Sequence, residues 1–289
     1  MAFDAQTFKT RALTAVIFVA VMMAGLLWNR WSFFILFSIV HFGAWIEYQK
    51  LVTAFNPDYK SIKPLHRYGV MIAGWCLLLY FTNNELYIGS IRFSEVGLYG
   101  GIASLILIPF IVLLEARGAF IKNLGYSLCG LLYISLSLGL LIGIRNLYGV
   151  DSEGRGDFGK YIALTLIFSI WINDTMAYVV GSFIGKTPLS KISPKKTWEG
   201  TAGGALLCVV VMAFIGKALG LSYVDAACIA AIAAVVGTIG DLFESKLKRM
   251  AGVKDSGSFM PGHGGFLDRF DSLLFASVVV WFYVVVAMR

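Results

Sequence analysis

Charge is what this chain has least of: 14% of its 289 residues are Asp, Glu, Lys or Arg, against 58% hydrophobic. Soluble domains carry about a quarter charged residues, so this composition, with a mean hydropathy of +0.77, excludes a water-soluble globular protein. Cysteine is scarce as well. Cys76, Cys129, Cys208 and Cys228 lie within apolar stretches and never at CxxC spacing, which excludes a disulfide framework and a thiolate metal site. There is no GxxxxGK[ST] phosphate loop, and no Ser-His-Asp or Cys-His arrangement for covalent catalysis. The opening segment MAFDAQTFKTRALTAV sets a basic flank before an apolar run but lacks a small-residue cleavage site, so it is expected to be a first span rather than a removed signal peptide.

What is there is hydrocarbon, in lengths of about 20 residues that suit a bilayer. Such stretches lie at 12–29, 31–49, 67–83, 97–115, 124–148, 160–185, 201–220, 225–243 and 268–288. They predict an all-α polytopic membrane protein with nine spans, the first two joined by a tight hairpin at Trp28 to Trp31. Gly and Ser are scattered through the fifth. With the N-terminus cytoplasmic, the inner segments hold Lys9, Arg11, Lys50, Lys60, Lys63, Arg67, Arg117, Lys122, Lys186, Lys191, Lys195, Lys196, Lys246, Lys248, Arg249, Lys254 and Arg269, or 17 of the 24 basic residues. That excess follows the positive-inside rule. The net charge of +7 suits anionic headgroups or substrates at that surface.

Residues 1–160 supply helices without a chemical motif. There Glu47 reads as a salt-bridge partner of Lys50, His41 as a hydrogen-bonded packing histidine, and His66 as a solvated loop residue. Residues 161–289 carry the motifs, with cytoplasmic loops at 186–204 and 244–268. Asp174, in WINDTMAYVVGSFIG, lies inside span six, where an aspartate should face a bundle interior or polar cavity beside a cation. Ala177, Gly181, Ser182 and Gly185 permit close helix packing. In KTPLSKISPKKTWEGTAGG, from Lys186 to Gly204, Pro188 and Pro194 interrupt helix, and Thr197 is a candidate N-cap with Gly200 at N3. Ser193, Lys195, Lys196 and Thr197, leading into a glycine-rich helix start, offer the charges, hydroxyls and free N–H groups that phosphate binding needs.

Asp241 ends span eight, and Asp268 and Asp271 open span nine. A short connection brings those helix ends together, so Asp241 and Asp268 are expected to face one another. Asp268 and Asp271, at i and i+3, share a face, as do Asp241 and Glu244. Converging carboxylates beside a basic loop point to a divalent cation, and oxygen-only ligands to Mg²⁺. Helix capping, with Arg269 as partner, is the competing account for one aspartate but not for the group. Between them, Lys246, Lys248, Arg249 and Lys254 suit phosphate oxygens, and PGHGG at 261–265 offers a backbone that can approach a ligand closely. His263 in that run either binds phosphate or base, or orders the turn.

The pattern at Ser245, Leu247, Lys248, Arg249, Lys254, Asp255, Gly257, Pro261, His263, Gly264, Gly265, Phe266, Asp268, Arg269, Phe270 and Asp271 resembles the signature of phosphatidate cytidylyltransferases, also called CDP-diacylglycerol synthases. Met260 stands where that family usually has Ile, Leu or Phe. The likeness extends back through SPKKTWEG and the DTxAYxxG of span six, over roughly 165–289. It implies an inner-membrane enzyme, active on the cytoplasmic side, that condenses CTP with phosphatidic acid to give CDP-diacylglycerol and pyrophosphate. Mg²⁺, with K⁺ in some members, would be the cofactor and a homodimer the assembly; no nucleic acid is involved. Asp241 and Asp268 would be metal ligands, with Asp271 and Asp174 as further ones, and Lys248 and Lys254 would act in transfer. Ser193, Lys195, Lys196, Thr197, Ser245, Arg249, His263, Gly264, Gly265 and Arg269 would bind the substrates. Two other classes share some features: a CTP-dependent polyprenol kinase, which moves the γ-phosphate, and an ion-coupled transporter, for which no inverted repeat is visible.

Overall fold

A computed structural model describes residues 5–114, 120–147, 157–259 and 264–288. Helices α1 (Ala5–Leu27) and α2 (Arg30–Phe55) form the expected tight hairpin. Asn29 Oδ1 accepts the Ser32 amide at 2.8 Å while Asn29 N donates to Ser32 Oγ at 3.0 Å, a reciprocal cap that starts α2. One turn, α3 (Pro57–Lys60), leads to α4 (Pro64–Tyr80). A small hairpin of β1 (Tyr87–Ile88) and β2 (Ile91–Arg92), antiparallel with Ile88 opposite Ile91, then delivers the chain to α5 (Phe93–Leu114). The fifth expected span is α6 (Phe120–Gly130), a π-helical turn (Leu131–Leu136) and α7 (Ser137–Asn146) in succession. The π turn gives that stretch a packing role: Ser135 Oγ accepts from Trp45 Nε1 at 2.8 Å and lies 3.0 Å from His41 Nε2. His41 is therefore the packing histidine the sequence suggests. The chain ends in α8 (Phe158–Ile184), α9 (Trp198–Ala218), α10 (Tyr223–Met250) and α11 (Leu267–Ala287).

Among the described residues, seven helices are long and apolar enough to cross a membrane. The other two expected spans correspond to α1, whose shorter apolar stretch is Ala12–Leu27, and to the 17-residue α4. One core cluster joins residues of α1, α2, α4, α7, α8, α10 and α11, from Met22 to Val284. Close approach replaces bulky packing where glycines meet backbone. A Cβ on Gly97 of α5 would stand 2.6 Å from Cys76 O of α4, and one on Gly204 of α9 would stand 2.6 Å from Ala177 N of α8.

The helix ends sort into two polar groups. At one end Arg30 pairs with Glu85, Arg145 meets Asp157 at 2.6 Å, and Lys160 Nζ donates to Leu27 O at 2.8 Å. At the other, Asn56 Nδ2 donates to Asn123 Oδ1 at 3.3 Å, Lys196 pairs with Asp241, and Glu47 meets Ser256. These are the connections that alternate crossing assigns to opposite faces. Two sequence expectations fail at this second end. His66 is fully buried, 3.0 Å from Ser127 Oγ, because α4 starts with a proline-led turn that tucks it under α6 rather than leaving it in a loop. Glu47 is also buried, and it bonds to the 256–267 segment rather than to Lys50, because its position on α2 faces the start of α11.

Replacing Gly204 by Val forces a side chain into α8 backbone and should destabilise by roughly 1–3 kcal/mol. Gly69→Ala in α4, where the added Cβ meets nothing within 4 Å, should be neutral or slightly stabilising. Thermal unfolding in detergent compares them; equal midpoints would contradict the account of α8–α9 packing.

Candidate active site

The cleft at the second polar end begins with helix contact. Gly200 and Gly204 let α9 lie against Ala177 and Gly181 of α8, and Gly185 ends α8. The intervening segment folds back on itself: Leu189 N donates to Lys196 O at 2.7 Å, Trp198 N to Thr187 O at 2.9 Å, and Lys196 N to Ser193 O at 3.1 Å. Glu199 accepts the amides of Lys186 and Thr187, each at 3.1 Å. Thr197 caps α9 as expected, its Oγ1 accepting from Gly200 N at 3.2 Å. The result is a cleft of about 450 Å³ lined by Asp174 and Gly181 of α8, Lys195, Lys196 and Thr197 of the segment, and Thr238 and Asp241 of α10. That volume falls within the range of small-molecule sites. Ser193 contributes its carbonyl to the turn.

Lys196 forms an ion pair with Asp241, whose other oxygen accepts from Ser245 Oγ at 3.2 Å, one helical turn on. The next turn of α10 turns a second carboxylate inward. Glu244 is wholly buried and pairs with Lys248, which reaches across to Asp268 Oδ1 at 2.7 Å. Asp268 Oδ2 accepts from Ser256 N at 2.8 Å and Gly265 N at 2.7 Å, and lies 2.8 Å from Ser256 Oγ. Gly264 adopts φ +82°, a conformation L side chains rarely take, and a Cβ there would stand 2.6 Å from Asp268 Oδ2. Glycine at 264 is thus required by the turn that delivers Asp268. Asp271, beside Gly240 of α10, feels the charges of both Asp241 and Asp174. Arg269 acts electrostatically on Asp174.

The expected carboxylates therefore form a band from Asp174 through Asp241, Asp271 and Glu244 to Asp268. The expected facing of Asp241 and Asp268 gives way to a stagger: α10 continues past Asp241 to Met250, so Gly240 beside Asp241 packs on Asp271, while Asp268 meets Lys248, and the two aspartates are tied to different lysines. Arg249, exposed, donates to Val253 O at 3.2 Å. Lys254 is exposed on the same segment. His263, with Met260 to Gly262, lies outside the described residues. Sequence reasoning missed Glu47 and Ser256 as parts of this end, and it placed Glu244 on the face of Asp241 without giving it a role. The signal for Glu47 was present, since a carboxylate in an apolar span is the same cue that singled out Asp174.

Among the described residues, no group of three or more His, Cys, Asp and Glu side chains is arranged to hold a metal ion as it stands. The chemistry of the band nevertheless fits a hard cation: every donor is oxygen, and carboxylates outnumber the lysines that meet them.

The model of the cytidylyltransferase family matches residues 9–287, so the likeness reaches the first half of the chain, where no motif was legible. Curated relatives point the same way. A phosphatidate cytidylyltransferase of Synechocystis sp. is 32% identical over 96% of this chain and 97% of its own length. One from Staphylococcus saprophyticus is 35% identical over 92% of this chain and 95% of its own, and one from Bacillus subtilis 36% over 72% and 74%.

Removing Lys248 leaves Glu244 and Asp268 facing each other in a buried setting, and breaking such a pair costs roughly 3–5 kcal/mol. Lys248→Ala should therefore lower the unfolding midpoint strongly, and Lys248→Ala with Glu244→Gln should recover part of the loss. A double variant no more stable than the single one would refute the pairing.

Proposed function

This chain belongs to the cytidylyltransferase family, and on that premise we propose that it joins CTP to phosphatidic acid, forming CDP-diacylglycerol and pyrophosphate at the membrane surface. The observation that carries the reading is the cleft in which Lys195, Lys196 and Thr197, at a helix N-terminus, face Asp174 and Asp241 at the head of the acidic band. Both substrates are polyanions, so they need cationic and N–H donors to meet at all.

A phosphate oxygen of phosphatidic acid attacks the α-phosphorus of CTP; the new P–O bond forms as the bond to the β-phosphate oxygen breaks, and pyrophosphate leaves with that electron pair. The attacking oxygen is already anionic near neutral pH, which agrees with the lack of a strong general base. Lys196 and Lys195 would hold nucleotide phosphates from the cleft wall, while Lys248, Lys254 and Arg249 would draw the departing pyrophosphate or the lipid phosphate. Asp241 and Asp268, with Asp271 and Asp174 behind them, are the proposed holders of Mg²⁺, with K⁺ as a second ion. A bound divalent ion would offset phosphate charge on attack and departure. Ser245 holds Asp241 across one helical turn, and Thr197 caps the helix that follows Lys196. His263, Gly264, Gly265 and Arg269 complete the proposed substrate-binding set, and Ser193 keeps the lysine-bearing turn closed. The cleft would face the cytoplasm from an inner membrane, in a homodimer of nine-span subunits.

Purified protein given phosphatidic acid, Mg²⁺ and CTP labelled at the α-phosphorus should transfer label to lipid, and γ-label should stay soluble. Lipid carrying γ-label instead would support the kinase class and sink this reading. Asp268→Asn and Asp241→Asn should each lower transfer by roughly a hundredfold or more, as should chelation of the divalent ion, since charge stabilisation of this kind supplies that much. Near-normal turnover in both variants would refute their metal role. For sidedness, a cysteine at Lys191, in a chain with the four native cysteines replaced, should react with an impermeant maleimide in inverted vesicles and not in intact cells. The reverse pattern would overturn the orientation.

A further inference from the structure

α11 begins without a side-chain cap of its own: Phe266 occupies the N-cap position and makes no capping bond. The first N–H groups of a helix need acceptors, and here they find them on a distant element. Glu47 of α2, only 5% exposed, takes Phe266 N on Oε1 at 2.9 Å and Leu267 N on Oε2 at 2.9 Å. The same Oε2 lies 2.8 Å from Ser256 Oγ. Gly257 and Gly265 press on this carboxylate closely enough that a Cβ on either would overlap it. One turn earlier on α2, Gly43 leaves room for the Phe266 ring, which stacks on Phe259 with centroids 4.1 Å apart. A face of α2 running from Gly43 to Glu47 is thus shaped to receive both ends of the 256–267 stretch.

Asp268 holds the same two ends from the other side, through Ser256 N and Gly265 N. The Ser256 hydroxyl lies between the two carboxylates, 2.8 Å from each, and with a single hydrogen it donates to one of them at a time. Glu47 therefore fixes the backbone from which Asp268 projects and competes for one of its donors, although it lines no part of the cleft.

We propose that Glu47 is a positioning residue for the reaction, capping α11 in trans and setting the placement of Asp268 and its glycine turn. This extends the cytidylyl transfer inferred above and rests on it for its catalytic readout. A purely structural Glu47 would change the yield and melting of folded enzyme without altering the turnover of the folded fraction. A positioning Glu47 changes kcat, because displacement of a reacting group by about 1 Å costs on the order of a hundredfold.

The test uses the full-length enzyme in lipid nanodiscs. Glu47→Gln, similar in shape but lacking one acceptor and the charge, should lower kcat per folded molecule roughly tenfold to a hundredfold while KM for phosphatidic acid changes less than about threefold. Hydrogen exchange at the Phe266 and Leu267 amides should quicken at least about tenfold, the loss of one charged hydrogen bond. Glu47→Asp, which keeps the charge, should regain part of both. If Glu47→Ala does not fold, Glu47→Gln and Ser256→Ala are read in its place. Wild-type kcat in folded Glu47→Gln, or unchanged exchange at those two amides, overturns the proposal. A wild-type enzyme inert toward CTP, beside faster exchange in the variant, would sink the assignment of the reaction while sustaining the clamp.

Discussion

A carboxylate buried among apolar helices must find its donors inside the protein, since leaving one without a partner costs several kcal/mol. The polar end of this molecule is organised by that constraint. Glu244, wholly buried, needs Lys248; Lys248 needs a second anion and finds it in Asp268; Asp268 fills its remaining oxygen with backbone and hydroxyl donors from Ser256 and Gly265. Glu47 closes the set from α2. In its described residues the connection between α10 and α11 is thus held by carboxylates together with the Phe259–Phe266 stack.

The same constraint separates the two ends of the molecule. Among the described residues, Arg30 and Arg145 pair with Glu85 and Asp157, and this group joins helix ends without lining the described cleft. At the other end acidic groups exceed the lysines that pair with them, and part of the band opens into a cleft walled by Lys195, Lys196 and Thr197. Paired charges between helix ends act as a tie; carboxylates that open to solvent beside lysines are suited to a charged ligand. Glycine decides how closely the band can assemble, since Gly240 admits the backbone at Asp271 and Gly204 admits α8 against α9.

Span positions were legible because a 20-residue apolar run has few other uses, and the Thr197 cap because hydroxyl preference at that position is local chemistry. Asp174, Asp241, Asp268 and Asp271 stood out as charge within hydrocarbon. Glu47 and His66 were misread for one reason: a residue near the end of an apolar run can turn to headgroups or to protein, and only the neighbouring helices decide which. The π turn at Leu131 to Leu136 was equally hidden, since scattered Gly and Ser loosen a helical pattern without specifying how it is repaired.

The sequence by itself determined that the chain is a helical membrane protein, and it singled out Asp174, Asp241, Asp268 and Asp271 as charge set within or beside hydrocarbon. Composition and spacing suffice for that, because hydrocarbon length and charge placement are constrained residue by residue. Only the tertiary structure decided which lysine meets which carboxylate, that the acidic groups form one band, and that a helix from the first half holds the loop of the second. Those outcomes depend on which faces of α2, α8, α10 and α11 are turned toward one another, and helix packing sets that across more than two hundred residues of separation, as between Glu47 and Leu267.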